Sequence, residues 1–111
     1  MTDNINYPHI VDYITSTLPE STGILKELEI YAKDNNVPII QKEVRCFLGM
    51  LLKYKPPVNI LELGTAIGYS SLFFSDYVLP GGKIITFERE EEYYNIAIEN
   101  IKRAVRWTAL F

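Results

Sequence analysis

The chain has 111 residues, 48% of them hydrophobic and 23% charged, which suits one packed soluble domain. Its formal net charge of -3 weighs against a nucleic-acid-binding stripe, and no apolar run approaches the ~20 residues that span a bilayer. The single cysteine, Cys46, cannot form an internal disulfide; with no signal peptide in view, the chain reads as cytoplasmic and Cys46 as a core thiol.

Tyr7 to Leu18 places Ile10, Val11, Ile14 and Leu18 on one helical face, and Pro19 ends that helix. Ser21 is the expected N-cap of a second helix, with Ile24, Leu25, Leu28 and Tyr31 inward and Asp34-Asn35-Asn36 as its breaker. Gln41 to Tyr54 repeats the pattern through Val44, Phe47, Leu48, Leu51 and Leu52, and Pro56-Pro57 stops it. The period then changes. Val58 to Leu63 reads as a short buried strand, Tyr69 to Leu79 as a helix, and Pro80-Gly81-Gly82 as a turn. Lys83 to Glu88 is a second strand, rich in β-favouring residues. Glu90 to Val105 is a helix with Tyr94, Ala97, Ile98, Ile101 and Ala104 in one stripe and an acidic first turn that complements its dipole. Strand, helix, strand, helix over about 50 residues make a βαβ unit plus one helix, and hence a parallel sheet. Two parallel strands cannot be covered on both faces by so little chain, so the architecture reads as unfinished.

The segment Ile60-Leu61-Glu62-Leu63-Gly64-Thr65-Ala66-Ile67-Gly68-Tyr69-Ser70-Ser71 joins the first strand to its helix. Ligands of open α/β sheets bind beyond the carboxyl ends of the strands, where this loop lies. Gly64 permits a tight turn, and Gly68 lets backbone approach a ligand at the helix start. Glu62 suits a ligand's ammonium or an orienting hydrogen bond, and Ser70 can donate or accept. Glu88 ends the second strand 20 residues after Gly68, where an acid can take both ribose hydroxyls of a nucleoside. A plain strand–helix turn would explain either feature alone; both at this spacing favour an adenosine-type ligand. The dinucleotide fingerprint G-x-G-x-x-G is not met, and Gly81-Gly82-Lys83 lacks the upstream glycine and following hydroxyl of a P-loop.

ILELGTAIGYSS followed by ITFERE resembles motif I and the next acidic strand end of class I S-adenosylmethionine-dependent methyltransferases. The Gly-Thr-Ala-x-Gly-Tyr-Ser form is similar to the metal-dependent O-methyltransferases related to catechol and caffeoyl-coenzyme A O-methyltransferases, bacterial tRNA 5-hydroxyuridine methyltransferases included. The upstream helices and VPIIQKEVRCFL share the likeness, which runs from about Ile10 to Ala104. It implies an α/β fold, the N-terminal part of a Rossmann-like methyltransferase: three helices, then β-α-β-α of a parallel sheet. On that reading residues 1–57 are an N-terminal helical region, 58–105 the first half of the cofactor domain, and 106–111 an apolar tail.

The resemblance implies S-adenosylmethionine as cofactor, with Glu62 and Gly64 shaping the pocket for its methionine end. Ala66, which replaces the central glycine of the broader pattern, would supply backbone and walls with Gly68 and Tyr69. Ser70 would bond the cofactor's carboxylate, Glu88 the ribose, and Ile40 would touch the methionine moiety. It further implies a divalent cation such as magnesium, a homodimer, and a methyl acceptor that is a catechol-like small molecule or a hydroxylated tRNA uridine. The family's catalytic groups and metal ligands come from later strands and loops, so none is assigned within this chain. His9, Asp34 and Glu90-Glu91-Glu92 read as surface residues rather than ligands. The expectation is therefore a truncated or frameshifted product, the N-terminal cofactor-binding half of an O-methyltransferase, unable by itself to transfer a methyl group. The competing reading is a non-catalytic interaction module whose apolar tail docks a partner; a nicotinamide-dependent dehydrogenase is disfavoured by the failed fingerprint.

Overall fold

The computed structural model describes residues 7–104, so the tail expected at 106–111 lies outside the described residues. In chain order the elements are α1 (Pro8–Thr17), α2 (Gly23–Asp34), α3 (Lys42–Tyr54), β1 (Asn59–Leu63), α4 (Tyr69–Ser75), β2 (Lys83–Phe87) and α5 (Glu91–Arg103). Pro8 opens α1, where its fixed φ is already helical and its missing N–H costs nothing. Asn36, at φ 54°, turns the chain out of α2. Among the described residues no helix is long and apolar enough to cross a membrane.

β1 and β2 run parallel in register, from Asn59 beside Lys83 to Leu63 beside Phe87. Because successive side chains alternate between faces, Ile60, Glu62, Ile84 and Thr86 share one face. That face is packed: Ile84 joins Leu28, Ala32, Val37, Ile67, Tyr69, Leu72 and Ile101 in the core. The other face carries Leu61, Leu63, Ile85 and Phe87 and is open, with Leu63 81% exposed. The strand expected to be buried from Val58 onward thus begins at Asn59 and is covered on one side only, and Val58 is itself exposed.

Two helices turn differently from their apolar patterns. In α3 the residues buried are Arg45 and Gly49, while Val44, Phe47 and Leu51 face outward. The reason is close approach: a Cβ on Gly49 would stand 2.9 Å from the Tyr77 hydroxyl and 3.5 Å from the Phe73 ring, so the small residue, not the leucine stripe, meets the neighbouring segment. In α2 Ala32 is buried and Tyr31 exposed, and the N-cap is Thr22 rather than Ser21. Ser21 instead donates its hydroxyl to Glu29. In α1 Ile10 and Ile14 are exposed and no residue is fully buried; Lys42 Nζ reaches across to donate to Thr15 O at 2.9 Å. Cys46, expected in the core, is only partly buried.

Candidate functional site

The segment between β1 and α4 turns through three left-handed residues: Gly64 at φ 98°, Ala66 at φ 49° and Gly68 at φ 90°. The N–H groups of this turn are spent within the fold: Gly64 and Thr65 donate to Phe87 O at 2.8 and 3.1 Å, Gly68 to Thr65 O at 2.9 Å, and Ala66 to a carboxylate beyond β2. Gly68 is the N-cap of α4, and its missing side chain lets Ala97 of α5 pack at 3.5 Å from where a Cβ would be. α5 supports the loop from behind a second time, since buried Asn100 donates from Nδ2 to Ile67 O at 2.8 Å.

Glu62 is held by hydroxyls. Its Oε1 accepts from Ser71 at 2.5 Å and from Thr86 at 2.8 Å, and its Oε2 accepts from Ser70. Thr86 spends its only proton on Glu62, so the 2.6 Å contact between Thr65 and Thr86 is a donation from Thr65. One carboxylate therefore fixes the end of β1, the middle of β2 and the first turn of α4. Of the two uses that the sequence allowed Glu62, the orienting bond is the one realised. Ser70 likewise spends its hydroxyl proton on Glu62, which leaves its lone pairs, not its proton, for anything outside. The sequence reading missed Ser71, Thr86 and Thr65; three hydroxyls close to a strand-terminal acid in a βαβ unit were the available signal.

Glu88 stands just past β2. Its Oε1 accepts the Ala66 N–H at 2.7 Å and its Oε2 the Glu90 N–H at 2.9 Å. These two backbone donors, Glu90 foremost, hold its carboxyl below the usual carboxylate range. The Ala66 bond also pins the left-handed alanine in place.

A cleft of about 310 Å³ opens over the loop, lined by Ile40, Glu62, Gly64, Ala66, Tyr69 and Ser70 together with Pro38, Ile39 and Thr65. Six of the eight residues singled out in the sequence thus share one cleft; Gly68 lies beneath the loop and Glu88 beside it, bonded to Ala66. A Cβ on Gly64 would meet nothing within 4 Å, so the loop there is bare backbone facing open space. Tyr69 is buried and donates its hydroxyl to Glu29 at 2.6 Å; burial, and then the carboxylate, push its phenol well above the ordinary value. Pro38, Ile39 and Ile40 form the opposite wall, which the sequence reading marked only at Ile40. Among the described residues no three His, Cys, Asp or Glu side chains are grouped to hold a metal ion.

The family model of the O-methyltransferases matches residues 15–108. Caffeoyl-CoA O-methyltransferase 2 of Petunia hybrida is 35% identical over 100 residues, which make up 88% of this chain and 40% of that protein. The catechol O-methyltransferase of Niastella koreensis is 38% identical over 58 residues, 52% of this chain and 26% of that one. Among solved structures, the O-methyltransferase from Bacillus cereus in complex with SAH superposes with a TM-score of 0.76 at 28% identity, covering 92% of this chain and 47% of that one. The O-methyltransferase TomG from Streptomyces achromogenes in complex with SAM gives 0.77 at 21% identity, a likeness of fold alone, over 100% of this chain and 51% of that one. The chain spans about half the length of these structures and 40% of the petunia relative.

Proposed function

The chain belongs to the O-methyltransferase family, and from that membership we propose that the glycine-loop cleft is its S-adenosylmethionine site. The whole protein, on this reading, transfers the methyl group to a hydroxyl of a catechol-like small molecule. The observation that carries the cofactor site is the state of Glu88. A carboxylate offers about two lone pairs on each oxygen; one on Oε1 is taken by Ala66 and one on Oε2 by Glu90. What remains is one acceptor position per oxygen on a carboxylate whose orientation is already set, matched to the two adjacent hydroxyls of a ribose. The methionine end then falls in the cleft between the bare backbone at Gly64 and the wall at Ile40, with Ser70 lone pairs facing the ligand's ammonium.

Bound S-adenosylmethionine would supply a methyl group on a positively charged sulfur, and the work left to the protein is alignment. The chain contributes to that alignment through Glu62, which keeps the loop fixed without touching the ligand's charge, and through Tyr69, which ties the start of α4 to α2. A divalent cation fits none of the described residues as a cluster, so no holder for it is proposed here. A hydroxylated tRNA uridine is the second acceptor class, and the net charge of -3 over this chain gives it no basic stripe here. The homodimer expected from the resemblance, and the cytoplasmic location expected from the lone cysteine, belong to the same proposal.

Calorimetry with S-adenosylmethionine tests the site. Glu88→Ala should weaken binding by about 2 kcal/mol, roughly thirtyfold, since it removes charge-assisted acceptors. Glu91→Ala, on the exposed first turn of α5, should leave it unchanged. Equal affinities for the two variants would take Glu88 out of the site.

A further inference from the structure

The first turn of α4 gives two residues, Tyr69 and Ser70, to the glycine-loop cleft, and little within the helix itself fixes that turn. α4 is seven residues long, and its N-cap, Gly68, has no side chain with which to cap it. A helix so short is held by its surroundings rather than by its own hydrogen bonds. Two carboxylates from different elements hold it. Glu62 of β1 accepts the hydroxyls of Ser70 and Ser71, and Glu29 of α2 accepts the hydroxyl of Tyr69 at 2.6 Å. The second bond is well supported. Tyr69 is 2% exposed, and Ser21, itself buried, donates to the same Oε2 and so orients the Glu29 carboxylate.

An independent observation concerns the space on the far side of Tyr69. A hollow of about 540 Å³ lies between the end of α2 and the segment leading into α3, where Glu29, Lys33 and Gln41 line it. It shares Pro38, Ile39, Ile40 and Tyr69 with the glycine-loop cleft, so these four residues stand between the two spaces. Of the four, Tyr69 alone has a polar group on its side chain, and Glu29 holds that group from the hollow. Without the bond nothing polar keeps the ring from yielding toward the hollow, and the cleft loses a fixed wall.

We propose that Glu29 is a positioning residue for the cofactor: from outside the cleft, and through the Tyr69 hydroxyl, it fixes the first turn of α4 and the wall between cleft and hollow. This rests on the reading of the cleft as the S-adenosylmethionine site. A wall set before the ligand arrives need not be ordered on binding, and the affinity gained is the ordering cost avoided. Both bonds to Glu29 fall on one oxygen. A glutamine whose amide oxygen takes that place keeps them, whereas leucine, similar in bulk, keeps neither.

The test is calorimetry with S-adenosylmethionine on the full chain, run well below the unfolding temperature of each variant. Tyr69→Phe and Glu29→Leu should each weaken binding about threefold to tenfold, the penalty of ordering one side chain on binding instead of beforehand. The double variant should be no weaker than the poorer single one, because both changes remove the same bond. Glu29→Gln, which keeps the acceptor, should bind within about twofold of wild type. A role in stability alone would lower the urea midpoint of these variants and leave the affinity of the folded chain unmoved. If Glu29→Leu does not fold, Tyr69→Phe, which deletes one oxygen, decides the matter. Failure of the wild type to bind the cofactor would remove the reading of the cleft, and this inference with it. Wild-type binding with unchanged affinity in Tyr69→Phe, additive losses in the double variant, or a glutamine variant as weak as leucine would overturn the role of Glu29 and leave the cleft standing.

Discussion

Replacing Glu62 by alanine tests whether one carboxylate organises the whole loop. The change removes the acceptor for three hydroxyls, those of Ser70, Ser71 and Thr86, and frees Thr86 from the orientation in which Thr65 donates to it. The three losses are unequal. Ser71 is fully buried, so its hydroxyl is stranded, at about 2 kcal/mol within the 1–3 kcal/mol range for an unsatisfied buried group. Ser70 and Thr86 are only partly buried beside an open cleft, where water replaces the lost carboxylate and each loss is about 0.5 kcal/mol. The total, near 3 kcal/mol, is a large share of the 5–15 kcal/mol that stabilises a domain. Urea denaturation should show the midpoint fall with little change in slope. Glu62→Gln keeps one acceptor oxygen for Ser71 and Thr86 but loses the charge, and should cost about half as much. A loss under 1 kcal/mol for the alanine variant, or glutamine equal to wild type, would mean that the carboxylate does not hold the loop.

Ala66→Gly should stabilise the chain by about 0.5–1 kcal/mol in the same urea assay, because a left-handed alanine costs about 1–2 kcal/mol and the extra freedom of unfolded glycine returns part of that gain. Gly82→Ala should destabilise it by more than 2 kcal/mol: its Cβ would stand 2.0 Å from Val58 O, the acceptor that receives the Lys83 N–H and starts the pairing of the strands. Lys42 and Lys26 hold the Glu20 carboxyl down from the ordinary 4.5 to about 2. A depressed carboxyl stabilises above its unfolded pKa and loses that contribution as pH falls, so the window for Glu20 is pH 4.5 down to about 2. An NMR titration should place its midpoint near the lower end, and Glu20→Gln should flatten stability across that interval. Glu88 is depressed in the same direction, so the bond to Ala66 should persist below the usual carboxylate range, and amide exchange at Ala66 should quicken only in stronger acid.

Helical periodicity, a short apolar run bounded by prolines and a glycine, and β-favouring composition located all seven elements, although the helix expected over Tyr69 to Leu79 ends at Ser75. The periodicity misplaced the buried face of α3, where Gly49 is inward because neighbouring rings approach closely and Arg45 is buried beside it. Motif spacing found the loop, Glu62 and Glu88, because tight turns and strand ends demand particular residue types. It missed Ser71, Thr65 and Thr86, because a hydroxyl's partner depends on register across strands, and nothing in a single sequence states that Glu62 lies opposite Thr86.

The same distinction explains why Ala66 can stand where the broader family pattern has glycine. A left-handed alanine costs more than glycine, so the position needs a compensating contact. The Glu88 carboxylate supplies one by accepting the Ala66 N–H, and the same carboxylate is the proposed ribose acceptor. Loop conformation and ligand affinity are then linked through one side chain. A ligand that bonds the remaining lone pairs of Glu88 must leave the Ala66 bond intact, or lose the loop shape that admits it. Glu88→Gln should separate the two functions. Its amide oxygen can still take the Ala66 N–H, while its NH2 gives up the exposed bond from the Glu90 N–H, which water can replace, and presents donors where one ribose hydroxyl needs an acceptor. Loop stability should therefore change by less than 1 kcal/mol, within the worth of one hydrogen bond, while cofactor affinity falls nearly as far as in Glu88→Ala. A glutamine variant that loses stability and affinity together would show that the carboxylate charge, and not its shape, holds Ala66 in place.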